Sequence, residues 1–244
     1  MVVDGASEHR RAVVVTGAAG RIGSLVVTRL GARWQIRATD VRSGAGIEQL
    51  DVTDLQRCRE VFEGADAVVH LAANPHPGAQ WEALRGPNIE GAHAVAAAAR
   101  ESGIRRLVLA SSVWAVAGYP EQRQRRASDP PRPVNLYGAS KAWAEALGSW
   151  VASTSDTSVV ALRIGYFPGG APAPGATLSS IALWLSPDDC TRLIQAAVET
   201  DQTGFTVVSG ISANRHPMLD VGEAERSIGF EPVDDAWDLV NLSS

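Results

Sequence analysis

Two periodicities alternate along this chain. Ala12–Thr16 (AVVVT), Ala67–Leu71 (AVVHL), Arg106–Ala110 (RLVLA) and Val159–Leu162 are short apolar runs with no polar alternation. Such runs suit strands buried on both faces, as in a parallel sheet. Between them apolar positions recur at helical spacing, at Ile22, Leu25, Val26 and Leu30 and again at Leu55, Cys58, Val61 and Phe62. Trp34–Asp40 reads as a second strand ending in an acid. Asn74–Gly86 reads as a loop rich in Pro and Gly, and Pro87–Glu101 as a long Ala-rich helix with Pro at a tolerated early position. A further helix begins near Tyr137 and runs to about Ala152. Beyond residue 165, PGGAPAPG cannot hold regular structure. A helix start at Ser186-Pro187, a strand at Phe205–Ser209 and a last helix over Asp220–Ile228 follow. The pattern predicts an α/β fold. Residues 1–165 form a doubly wound parallel sheet, and residues 166–244 form a small lobe over the carboxyl ends of the strands, interleaved with that core.

Composition narrows the function classes. Of 244 residues, 45% are hydrophobic and 20% charged, the balance of a folded soluble domain. A net charge of -5 gives no reason to expect nucleic acid or an anionic membrane as partner. No apolar run is long enough to span a bilayer. The polar lead-in MVVDGASEHRR, which contains His9, has no signal-peptide core. Cys58 and Cys190 read as free, buried thiols in a reducing compartment, so a cytoplasmic location is expected. The other histidines, His70, His76, His93 and His216, are scattered, with no metal-ligand spacing. His70 reads as a packed core residue.

The candidate chemistry sits where strands end. Gly17, Gly20 and Gly23 of TGAAGRIG fall between the first strand and the first helix. Strand, glycine turn and helix are the context of a dinucleotide fingerprint. The glycines permit close backbone approach, and the helix N-terminus offers free N–H groups to a pyrophosphate. Asp40 ends the second strand, where a carboxylate accepts hydrogen bonds from an adenine ribose and repels a 2′-phosphate. NAD is therefore favoured, while Arg21 and Arg42 keep NADP open. Asp51 and Val52 are candidates for the border of an adenine pocket, and Ala72 and Ala73 leave room for a ligand. Asn88 is either a polar helix-start residue or a neighbour of the nicotinamide. Ser111 and Ser112 close the strand over Arg106–Ala110, where hydroxyls reach a ligand crevice. Tyr137 and Lys141 lie one helical turn apart, so an ammonium can assist a phenol in general acid–base work. Arg123, Arg125 and Arg126, in the charged loop Tyr119–Pro133, read as a solvated face in preference to a contact for an anionic substrate.

TGAAGRIG, Asp40, HLAA, ASS and YGASK occur in one fixed order. Together they resemble the extended short-chain dehydrogenase/reductases, the NAD-dependent epimerase/dehydratase family, with a Rossmann-type fold. LYGASKAWAE, LRIG, WLSPDDC and VVSGIS are similar to the short uronate dehydrogenase-like sugar dehydrogenases. The resemblance implies an NAD(P)-dependent oxidoreductase acting on a hydroxyl or carbonyl of a sugar-like small molecule. It implies Tyr137 as proton acceptor, Lys141 as its activator and a ribose ligand, and Ser112 as the hydroxyl that orients the reacting oxygen. Gly17, Gly20, Arg21, Ile22, Gly23, Asp40, Asp51, Val52, Leu71 and Ala72 form the implied cofactor shell, together with Tyr137 and Lys141. A homo-dimer through two long helices is expected by analogy. Around the implied substrate, with Ser111, the chain departs from uronate dehydrogenases. Val113 and Trp114 replace Asn and His, Pro75 and Tyr166 replace serines, and the arginine before WLS is missing. That bulkier pocket argues against a uronate. An epimerase or dehydratase that retains NAD, and a non-catalytic NAD-binding protein, are the alternative readings.

Overall fold

The computed structural model describes residues 10–240, so most of the polar lead-in, with His9, lies outside the described residues. Seven parallel strands form one sheet: β1 (Ala12–Thr16), β2 (Gln35–Asp40), β3 (Ile47–Gln49), β4 (Ala67–His70), β5 (Arg106–Ser112), β6 (Ser158–Ile164) and β7 (Phe205–Gly210). Their order is β3-β2-β1-β4-β5-β6-β7. This is the doubly wound Rossmann-type α/β arrangement that the strand pattern predicts. The strand β3 has no counterpart in the sequence reading, because three residues, two of them exposed, carry no pattern.

Helices cover both faces: α1 (Arg21–Leu30), α2 (Leu55–Phe62), α3 (Trp81–Leu84), α4 (Gly91–Glu101), α5 (Leu136–Thr154), α6 (Leu178–Ala182), α7 (Pro187–Glu199) and α8 (Gly222–Ile228). Alternate strand residues serve opposite layers. Val13, Val15, Val69, Val108 and Val160 pack with Val26 of α1, Leu193 and Ile194 of α7 and Ile228 of α8. Val14, Val68, Leu107, Leu109 and Val159 pack with Phe62 of α2, Val95 of α4 and Leu147 and Val151 of α5. Of residues 166–244, α7 lies against α1 and β7 extends the sheet beside β6. Cys58 and Cys190 are buried and unpaired, and burial pushes both thiols up to about 12, which leaves them unreactive.

The helix read over Pro87–Glu101 also differs from its sequence reading. Helical structure begins at Trp81, inside the stretch read as a loop, and passes through a wide π-type turn over Arg85–Glu90 before α4. Pro87 lies within that turn. It has no N–H to donate, and its ring clashes with the carbonyl one turn back, so a widened turn relieves both.

A buried ion pair joins three elements near the carboxyl end of the sheet. The guanidinium of Arg163 on β6 meets both carboxylate oxygens of Glu145 on α5, each at 2.8 Å. Its remaining nitrogen donates to the carbonyls of Ala127 at 3.1 Å and Asp129 at 3.0 Å. The Ser111 hydroxyl donates to the same carboxylate at 2.6 Å. Removing one partner strands the other charge in the interior. Arg163→Met is expected to cost about 3–5 kcal/mol in urea unfolding. The double variant Arg163→Met/Glu145→Leu is expected to lose less than that single one. Equal losses would show that the charge is not stranded.

Candidate active site

The neighbours of β1 switch the direction of winding, with β2 on one side and β4 on the other, so a crevice opens at the carboxyl ends of β1 and β4. Gly17 lies there with φ +72°, and a Cβ on it would come within 2.6 Å of the Ala72 nitrogen. A Cβ on Gly23 would meet the Gly17 carbonyl at 2.2 Å. The turn is thus closed against both the next strand and its own helix, and only glycine fits. No side chain caps α1, and its first bond reaching back is Ser24 N–H to the Gly20 carbonyl at 2.9 Å. The N–H groups of the first turn are therefore available to an anion. This bare cradle fits a dinucleotide pyrophosphate.

Asp40 holds that turn from β2. It is buried, and its carboxylate accepts from the Ala19 N–H at 3.0 Å and from the Arg42 N–H at 3.0 Å. The Arg42 guanidinium pairs with it at 3.2 Å and is otherwise exposed. Arg21 donates to the Phe167 carbonyl at 3.1 Å, bridging the turn to the segment after β6. Asp51 is exposed and accepts from Thr53, whereas Val52 packs in the core against Gly91.

A cleft of about 930 Å³ runs from the turn over the strand ends. Gly17, Gly20, Arg21, Ile22, Gly23 and Leu71 line it, and so do Ser111, Ser112, Val113, Trp114, Tyr137, Lys141 and Tyr166. Asp40, Asp51, Val52 and Ala72 do not border it. Ser111 needs a correction: it edges the cleft, but its hydroxyl is turned to Glu145. Successive strand residues face opposite ways, so only one of the two serines presents its hydroxyl to the crevice.

Asn135 starts α5 by accepting from the Gly138 N–H at 2.7 Å. Gly138 lets the helix approach the Trp114 carbonyl, which a Cβ would meet at 2.3 Å. Tyr137 is thereby held against Ser112. The Ser112 oxygen accepts from the Trp114 N–H at 3.3 Å, which leaves its proton to donate. Asn88 is buried and acts as a brace. It exchanges hydrogen bonds with the Asn74 backbone at 2.8 and 3.1 Å and donates to Ser140 at 3.0 Å.

The electrostatics differ from the simple expectation of a Lys-assisted phenol. Burial raises the Tyr137 pKa, and the adjoining Ser112 hydroxyl only partly offsets this. The Lys141 ammonium lies 5.7 Å from the Tyr137 ring centre and donates to the Ala110 carbonyl at 2.9 Å. Burial lowers Lys141 to about 8. His70 is a core residue as the sequence suggests, with Nδ1 2.8 Å from the Thr16 hydroxyl. Burial, and then the charge of Lys141, bring it down to about 3, so it stays neutral near pH 7.

Sequence reasoning missed Gly165 and ranked Arg125 as a solvated-face residue ahead of a contact for an anionic substrate. Both line the cleft, and a Cβ on Gly165 would come within 2.1 Å of the Leu183 carbonyl. Arg125, read as part of a solvated loop, is 4% exposed.

The sequence profile of the NAD dependent epimerase/dehydratase family matches residues 13–181. The chain is 36% identical to an L-arabinose 1-dehydrogenase (NAD(P)(+)) of Haloferax volcanii, over 93% of this chain and 98% of that one. It is 33% identical to an NAD-dependent glucose-6-phosphate dehydrogenase of the same organism, over 92% and 94%. Its fold is similar to that of a uronate dehydrogenase variant from Agrobacterium tumefaciens complexed with NAD. The TM-score is 0.84 and the identity 28%, over 94% of this chain and 87% of that one.

Lys141 ties the site to stability. Its folded pKa of about 8 lies below the ordinary 10.5, so the unfolded chain binds more protons between those values. The penalty is full below about pH 8 and fades as pH rises towards 10.5. Lys141→Met is expected to raise the melting temperature of the cofactor-free protein at pH 7, with a smaller gain at pH 10. A gain independent of pH would contradict a buried charge there.

Proposed function

The chain belongs to the NAD-dependent epimerase/dehydratase family, and from that membership we propose an NAD-dependent dehydrogenase of a sugar. The observation that carries this is the meeting of Tyr137 and Ser112 in the cleft that begins at the glycine turn. The first turn of α1 with Gly17, Gly20 and Gly23 holds the pyrophosphate, and Asp40 faces the adenine ribose. The adenine side extends past the cleft towards exposed Asp51, while Val52, packed in the core against Gly91, supports that edge without bordering it. Asp40 favours NAD, and exposed Arg42 beside it tolerates a 2′-phosphate.

When bound, NAD supplies the hydride acceptor and a positive charge. Tyr137, as phenolate, takes the proton of a lactol or secondary hydroxyl. The Ser112 proton donates to the same oxygen and holds it in place. Lys141, anchored on the Ala110 carbonyl beside the phenol ring, would hold the nicotinamide ribose. Val113, Trp114 and Tyr166 shape the sugar end. Free buried thiols suit a cytoplasmic enzyme, and among the described residues no helix is long and apolar enough to cross a membrane.

The protein further forms a dimer through α4 and α5. These helices pack side by side and expose Trp143 and Trp150 at 39% and 37%. Trp143→Glu/Trp150→Glu is expected to halve the mass measured by light scattering. An unchanged mass excludes that face.

Tyr137→Phe is expected to keep NAD affinity while NADH formation with a panel of aldoses, uronates and sugar phosphates falls by about 10² or more. Wild-type turnover in this variant would remove Tyr137 from the mechanism. Wild-type protein purified with bound NAD that never releases NADH would favour an epimerase or dehydratase.

A further inference from the structure

Arg125 is a cation folded into the wall of the cleft with no ion-pair partner among the described residues. Its backbone is pinned, with the N–H donating to the Met218 carbonyl at 2.9 Å and the carbonyl accepting from the Asp220 N–H at 2.8 Å. Its side chain is turned inward, and the residue is 4% exposed. Among the described residues the guanidinium makes no hydrogen bond and no ion pair, and Nε is wholly enclosed without a partner. Its neighbours in sequence are accounted for: Arg123 pairs with Asp129, and Arg126 is exposed. Burial lowers its pKa, opposed only by the charge of Glu121, the one carboxylate lining the cleft.

An unpaired buried guanidinium is costly, and where it lines a cleft an anionic ligand group can supply the missing partner. Leu219, next to the Met218 carbonyl that pins it, packs with Val113 and Trp114 directly after Ser112. Arg125 is therefore placed at the substrate end of the cleft, away from the glycine turn. We propose that Arg125 is the specificity residue of the sugar site and receives an oxyanion, a carboxylate or a phosphate, carried by the sugar. The proposal rests on the dehydrogenase reading for the site, and it supplies the positive group whose absence before Trp184 argued against an acidic sugar.

The test uses the full chain saturated with NADH, titrated calorimetrically with glucuronate, glucose 6-phosphate and glucose. At least one acid is expected to bind about tenfold or more tightly than glucose, the ordinary worth of a hydrogen bond to a charged group. Whichever acid is preferred names the oxyanion. Arg125→Met should abolish that preference and Arg125→Lys should restore part of it, with NADH affinity as the measure of folding. If the Met variant does not fold, the wild-type preference and its reduction in the Lys variant carry the test. Glucose binding as well as both acids, neither acid binding, or a folded Met variant keeping the preference would overturn the proposal. Anion preference without NAD reduction by any sugar sinks the dehydrogenase reading alone. NAD reduction by neutral sugars only sinks the role of Arg125 alone.

Discussion

The orientation of α5 is set by one buried charge pair. Tyr137, Lys141 and Glu145 succeed one another at four-residue intervals, so they share one face of the helix. Glu145 is gripped by Arg163 through two nitrogens and by Ser111 through its hydroxyl. A helix that cannot rotate at Glu145 cannot rotate one or two turns earlier. Tyr137 and Lys141, the proposed acid–base pair, are thus held beside Ser112 by a contact outside the cleft. The same guanidinium holds the carbonyls of residues 127 and 129, so the loop that carries Arg125 is anchored to the helix that carries Tyr137.

The cleft is biased towards negative charge. Lys141 and Arg125 both line it, and burial lowers the pKa of each. Burial also holds the Tyr137 phenol in its neutral form. Low dielectric penalises each charge alone and rewards opposite charges brought together. A site built this way resists ionising Tyr137 by itself and ionises it more readily when a cationic ring is present. On the proposed reading, acid–base competence would be coupled to cofactor occupancy, not to the Tyr–Lys spacing alone.

Much of this was legible in the chain. The strands of the central sheet announce themselves as apolar runs, and the glycine turn as three glycines between a strand and a helix, because those signals are local. The wide turn at Pro87 is local too, but Pro87 read as the start of a helix, because the Pro- and Gly-rich NPHPGAQ just upstream masks the helix-forming run WEALR. The ion pair of Glu145 with Arg163 spans 18 residues and joins a helix to a strand, so no periodicity reveals it. Ser111 and Ser112 look equivalent in sequence, and only the pleat separates a hydroxyl that braces α5 from one that faces the cleft. Arg125 was hidden by its surroundings, a charged loop whose composition is that of a solvated face.

That concealment bears on how specificity is read from this fold. The segment before Trp184 carries no cation, and from sequence this empties the pocket of any group for an acidic sugar. On the proposal for Arg125 another element fills the same electrostatic role, because the 217–220 segment pins the 123–126 loop through both backbone groups of Arg125. Backbone pinning does not depend on side-chain identity, so the loop is held whatever residue occupies this position. The charge that recognises a substrate can then move between loops while the glycine turn, Tyr137 and Lys141 stay fixed. The reacting geometry is carried by strand ends and a braced helix, and the choice of sugar is left to loops that the core does not constrain.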